Sequence, residues 1–271
     1  MKLFFREEGE GFPLVIVHGL YGSSDNWLTV GKKLSTAFKV YMIDQRNHGR
    51  SPKDEEHSYE AMKNDLAEFF DQQKIEKAIL LGHSMGGKTA MSFAADYPER
   101  VEKLVVVDIT PKDYFSLNDE SQYYLHRDIL KAMLEIDFSG MQSRKEVENY
   151  LLGRIDSHAI VQFLLKNIHR KKENHQFEWR LNVQVLYDNL DEVISGVNER
   201  WFEDRLPIFN YPVLFIKGEK SNYIQPEDYK IIYRIYPDAI IKVVPDAGHW
   251  LHAEQPQLFM EVLESFLMQK G

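Results

Sequence analysis

The pentapeptide "GHSMG", residues 82–86, brings together the residue types of a nucleophile turn. It fits the G-x-S-x-G pattern, and its setting gives the match weight. The apolar run "AILL" precedes it and the helix-like "MGGKTAMSFAADY" follows, which is a strand–turn–helix arrangement. Such a turn strains the backbone, so Gly82 and Gly86 are needed to keep side chains off the neighbouring main chain. Ser84 then stands above a sheet, at the start of a helix. The bland alternative is a glycine-rich turn with an incidental serine.

A serine hydroxyl is a weak nucleophile and needs a base. Of the 10 histidines, His249 in "PDAGHW" follows the apolar run "IIKVV" directly. In a parallel sheet that places it on a loop at the same edge as Ser84. His252 reads as a local residue, and His83 points the wrong way for a base. Acyl transfer also needs donors for an oxyanion. The Met85 N–H follows the nucleophile, and the Leu20 N–H sits where "VIVHGL" ends a strand. His18 reads as a residue that orients this loop. "IDQRNHGRS" ends the next strand, and its Asp44, Arg46, Asn47 and His48 read as a tight hydrogen-bonded turn around Gly49. One carboxylate is harder to place. Asp108 ends the apolar run "LVVV", where a charge needs a partner.

These residues need a scaffold. Short β-like runs ("KLFFRE", "PLVIVHG", "KVYMIDQ", "AILLGHS", "KLVVVDI") alternate with helix-like segments through residue 111. The amphipathic "YEAMKNDLAEFFDQQ" is the clearest of the helices. Near-continuous apolar strands alternating with helices predict a mostly parallel sheet covered on both faces. From 112 to 205 no buried strand is apparent, and the spacing predicts an all-helical insertion. The strand pattern returns in "YPVLFIKG" and "AIIKVVPD", followed by helical stretches near 226–236 and 254–269. The expected organisation is a core of residues 1–111 and 206–271 with a helical cap at 112–205.

Composition narrows the function classes. Hydrophobic residues make up 44% and charged residues 28% of 271, as in an ordinary globular domain. The net charge of −9 argues against a nucleic-acid partner, which needs a basic face. With no cysteine there is neither a disulfide nor a thiolate nucleophile. No segment approaches the length of a membrane span, and "MKLFFREEGEG" lacks the features of a signal peptide, so a cytoplasmic location is expected. Nothing implies a metal or organic cofactor.

Taken together, "HGLYGS", "DQRNHGRS", "GHSMGG" and "AGHW" resemble the α/β-hydrolase superfamily in content and order, over nearly the whole chain. "DQRNHGRSP" and "VVVDITPKDY" are similar to signatures of the YbfF-type bacterial esterases. The resemblance implies an α/β-hydrolase fold whose helical cap is inserted after the family's sixth strand. Most members carry the acid after the strand that reads here as "VLFIKG", but Ser221 stands at that position and Glu219 is out of register. YbfF-type esterases place the acid where Asp108 stands. The resemblance therefore implies a Ser84–Asp108–His249 triad, with Leu20 and Met85 amides around the oxyanion. The activity implied is hydrolysis of small-molecule acyl esters or thioesters, including acyl-CoA, with short-to-medium acyl chains. Two rivals share these residues. One is a small-molecule receptor with little turnover, and the other a C–C bond hydrolase or perhydrolase. Within the cap, Tyr114, Tyr123, Tyr124, Phe177, Trp179 and Trp201 either line an acyl pocket or form the cap's own core.

Overall fold

The computed structural model describes residues 1–115 and 121–269. Nine strands and eleven α-helices are described: β1 (Phe5–Glu8), β2 (Phe12–Val17), α1 (Leu28–Leu34), β3 (Phe38–Ile43), α2 (Tyr59–Gln72), β4 (Ala78–His83), α3 (Met85–Asp96), β5 (Val101–Val107), α4 (Ser121–Leu134), α5 (Arg144–Leu152), α6 (His158–Leu165), β6 (Ile168–Arg170), β7 (Phe177–Trp179), α7 (Val183–Asp188), α8 (Leu190–Ser195), β8 (Val213–Gly218), α9 (Tyr229–Ile235), β9 (Ile240–Val244), α10 (Leu251–Glu254) and α11 (Pro256–Leu267).

Seven strands form one sheet in the order β1-β3-β2-β4-β5-β8-β9. Only β1, at the edge, runs antiparallel to its neighbour. The alternation of each strand explains the burial. Val15, Val17, Leu80, Leu104, Val106 and Phe215 join a cluster on one face with Leu66, Phe69 and Phe70 of α2 and Met91 and Phe93 of α3. Leu14, Ile16, Leu81, Val105, Val107, Leu214 and Ile216 face the other way, toward Val30 and Leu34 of α1 and Phe259 and Leu263 of α11. Strands buried on both faces cannot alternate polar with apolar residues, which is why they read as continuous apolar runs.

Among the described residues between β5 and β8 lie five α-helices and an antiparallel hairpin, in which β6 pairs with β7 from Ile168↔Trp179 to Arg170↔Phe177. The expectation of an all-helical segment misses this hairpin. Strands of three residues are too short to display a period of two, and the charged "KKENHQ" connects them. Among the aromatics between β5 and β8, Phe138 packs against Phe177 and Trp179, and the Trp179 indole N–H donates to Met133 O at 3.0 Å. Trp201 packs beside the Lys63 ammonium, 5.3 Å from its ring. Of the six aromatics named above, Phe177 and Trp179 thus pack within the segment between β5 and β8, and Trp201 packs against α2.

Candidate active site

β4 ends at His83, and α3 begins at Met85. Ser84 joins them with φ 53° and ψ −123°, a conformation a non-glycine residue holds only when its surroundings impose it. Its N–H donates to Val107 O at 2.9 Å, which ties the turn to β5. The turn is so tight that a Cβ on Gly82 would lie 2.2 Å from Gly86 O, and one on Gly86 2.3 Å from Val17 O. Both glycines are therefore steric requirements of the turn.

Asp108 follows β5, also at φ 53°, and is fully buried. Its N–H donates to Ile216 O at 2.8 Å, and the Gly218 N–H donates to its Oδ1 at 3.0 Å. Oδ2 accepts from the His249 Nδ1–H at 2.7 Å and from the Ser221 hydroxyl. Ser221, at the position where most members of the superfamily carry the acid, thus serves Asp108 and not the imidazole. Glu219 is spent elsewhere. Its carboxylate accepts the Asp246 N–H at 2.9 Å and braces the loop after β9.

His249 lies between two rings. Tyr223 stacks on it with centroids 4.0 Å apart, and His83 lies 4.7 Å away. His83 Nε2 donates to His249 O at 2.9 Å, so this neighbour of the serine pins the histidine loop. His252 stacks on Trp27 at 4.2 Å and packs in the core beneath that loop. With Nδ1 held by Asp108, His249 has Nε2 left for a partner in the adjoining cavity of about 180 Å3, which Ser84 also lines.

The Leu20 loop closes against the serine. A Cβ on Gly19 would lie 3.0 Å from Ser84 Cβ, so the chain passes the nucleophile as closely as glycine allows. His18 donates from Nδ1 to Gly19 O at 2.8 Å and accepts the Gln45 N–H at Nε2, 3.0 Å away. Burial lowers its pKa to about 4, which keeps it the neutral ring this double role demands. Met85 is the first residue of α3, so its N–H has no acceptor within the helix and lies at the positive end of the helix dipole. Leu20, Ser84 and Met85 line one crevice.

The structure therefore brings Ser84, Asp108, His249, Leu20 and Met85 to one end of the sheet. Several further residues at this site carried no sequence signal of their own. Tyr223 donates or accepts at 3.0 Å with His126 Nε2, and Tyr21 meets His126 Nδ1 at 3.2 Å, so His126 of α4 bridges two tyrosines that line the pocket. Burial lowers the His126 pKa to about 4 and pushes the Tyr223 hydroxyl upward. Both groups are neutral near pH 7. Of the six aromatics named from the sequence, Tyr114 lines this site.

Comparison with known proteins identifies the family of the fold. Residues 13–256 match a family model described as the alpha/beta hydrolase fold. The chain is 36% identical over 269 residues to an sn-1-specific diacylglycerol lipase of Danio rerio, covering 97% of this chain and 80% of that protein. It is 34% identical to Esterase YbfF of Escherichia coli (strain K12), covering 94% and 92% respectively. Among solved structures, a marine microorganism esterase superposes with TM-score 0.89 at 44% identity, covering 98% of this chain and 99% of that one.

Proposed function

Because the chain belongs to the α/β-hydrolase family and is an esterase-type hydrolase, we propose that it cleaves carboxylic esters or acyl thioesters through an acyl-enzyme on Ser84. His249 takes the Ser84 proton at Nε2 as the hydroxyl attacks the acyl carbonyl. The Leu20 and Met85 amides donate to the oxyanion that forms. His249 then protonates the leaving oxygen or sulfur, and in the second half it activates the water that clears the acyl group. Asp108 keeps the proton on Nδ1 and balances the imidazolium.

The observation that carries this reading is the 2.7 Å contact between His249 Nδ1 and Asp108 Oδ2, with the remaining oxygen of that carboxylate held by a backbone amide. A buried carboxylate tied this way by Gly218 and Ser221 is held still against the ring it would orient. The wall of the cavity is mostly apolar, with Leu125, Ile129, Ile160 and Phe163 from the cap, and suits an uncharged acyl substrate. Residues 112–205 act in this proposal as a cap that shapes the pocket over a core formed by the rest of the chain.

The test is active-site labelling followed by turnover. A fluorophosphonate is expected to label Ser84 alone, and an activated acyl ester to be hydrolysed with a burst that matches the labelled fraction. Labelling at another residue, or ester hydrolysis that survives complete labelling, overturns the proposal.

A further inference from the structure

The crevice at Ser84 has two arms, and they differ in what they offer an ester. The outer arm holds His249 together with Leu125, Ile129, Ile160, Phe163 and Trp250, and encloses about 180 Å3. The inner arm lacks His249. It is lined by Tyr59, Lys88, Ile109, Tyr114, Val193 and Ile194, and encloses about 30 Å3. Both arms contain Leu20 and Ser84.

Chemistry orients the substrate between them. The oxygen that leaves must face the nitrogen that protonates it. The alcohol half of the ester therefore points into the arm lined by His249, and the acyl substituent into the arm without it. A water-sized group fills about 10–15 Å3 on this scale, so the inner arm has room for two or three such groups and the outer arm for roughly a dozen.

Resting on the hydrolase reading above, we infer that the substrates are esters of short acyl groups with bulky apolar alcohols, and that Lys88, with Val193, forms the stop that ends the acyl arm. Lys88 lies one turn beyond Ser84 on α3 and is 1% exposed. Its ammonium donates to Lys112 O at 2.9 Å, Ile194 O at 3.1 Å and Gly196 O at 2.5 Å. The Tyr59 and Tyr114 rings flank it at 5.8 and 5.1 Å. All three donors are used, and the acceptors come from the exit of β5 and the end of α8. Swinging the side chain aside for a longer acyl chain would leave those carbonyls unpaired in the interior, so the stop is stiff. Its charge is adjustable. Burial lowers the lysine pKa to about 7, Asp113 and Glu192 favour the ammonium, and Lys112 opposes it. Above that pH the neutral amine has two N–H groups for three carbonyls, and the stop loosens.

The deciding experiment compares isomers. Octyl acetate and ethyl octanoate have the same formula and differ in which side of the ester carries the chain. The expected kcat/KM favours octyl acetate by about 100-fold, since one ill-fitting methylene already costs roughly 10–200-fold. Along octyl acetate, propionate, butyrate and hexanoate, kcat/KM is expected to drop at butyrate. Val193→Ala is expected to move that drop by about one methylene, and Lys88→Met to move it further and to abolish a relaxation of the limit between pH 7 and 9 seen in the parent. Should Lys88→Met not fold, Val193→Ala decides the matter. A preference for ethyl octanoate on a labelled, active Ser84 overturns the assignment of the arms and leaves the hydrolase reading standing. An unchanged limit in Val193→Ala overturns the stop. If neither ester turns over and Ser84 takes no fluorophosphonate, the hydrolase reading fails and this inference fails with it.

Discussion

Two groups of Asp, His and Ser stand side by side where the parallel strands end, and their hydrogen bonds are spent differently. After β3, Asp44 accepts the Ser24 N–H at 2.6 Å and the Arg50 N–H at 2.8 Å, and Ser51 donates back to Asp44 O. His48 donates to Arg46 O at 2.9 Å and accepts the Tyr21 N–H at 3.3 Å. Every one of these partners is main chain. After β4, β5 and β9, Ser84, Asp108 and His249 have the same chemical types, yet the contacts of the imidazole use one nitrogen and leave the other toward a cavity. A polar cluster that spends all its valences on backbone amides and carbonyls fixes a turn. One with a nitrogen and a hydroxyl left over at a cavity wall is able to do chemistry.

This contrast is sharpest where it predicts loss of rate without loss of fold. Ser84→Ala is expected to lower kcat by a factor on the order of 10⁴ or more while the melting temperature stays within about 2 °C of the parent. Asp108→Asn is expected to lower kcat by about 10⁴ at neutral pH, because an amide favours the wrong tautomer of His249, with partial recovery at high pH. Full activity in either variant would erase the distinction between the two clusters.

The other cluster should respond in the opposite way. A Cβ on Gly49 would lie 2.1 Å from Asp44 Oδ2, and the residue has φ +56°. Gly49→Ala is expected to cost about 2 kcal/mol, a fall of roughly 4–8 °C in Tm, with kcat per folded molecule little changed. Acid should attack the same region. Burial lowers the His48 pKa to about 3 and the His18 pKa to about 4, from an ordinary value of 6.5. The unfolded chain binds these protons first. The neutral rings therefore contribute their full stability above pH 6.5, and it is lost as pH falls toward 3. The slope approaches about 1.4 kcal/mol per pH unit for each ring. In thermal melts from pH 7 to 4, His48→Gln should start less stable and show a shallower slope. An unchanged slope would mean that His48 takes up its proton as readily in the native turn as in the unfolded chain.

The smallest effects belong to the residues beside the proposed acid. Glu219→Gln and Ser221→Ala are each expected to stay within about tenfold of the parent in kcat/KM. Ser221 supports Asp108 with a hydroxyl that carries no charge, and Glu219 braces a loop. A crippled Glu219→Gln beside an active Asp108→Asn would move the acid to the loop after β8.

Much of this was legible because it is local. The parallel strands announce themselves as apolar runs, and "GHSMG" carries within five residues the steric rule that the turn enforces. The bland reading of "DQRNHGRS" as a turn around Gly49 agrees with the contacts of Asp44, because that turn too is closed by near neighbours. The β6–β7 hairpin was not legible, since three-residue strands contain too little periodicity.

What the sequence by itself determined is the order of the elements and the residue types at their ends, since backbone propensity and burial pattern act over a few neighbours. The tertiary structure alone decided which of those ends meet. Pairing of β5 with β8 sets Asp108 beside Gly218 and Ser221, residues 110 and 113 positions away, and so gives the buried carboxylate the partners that its own neighbours lack. Lys88 makes the same point from a helix. In "MGGKTAM" it reads as an ordinary helical lysine, and only the approach of Lys112, Ile194 and Gly196 to α3 buries it among three carbonyls. Long-range contacts of this kind depend on how strands pair and how distant segments pack on them, and no window along the chain contains that information.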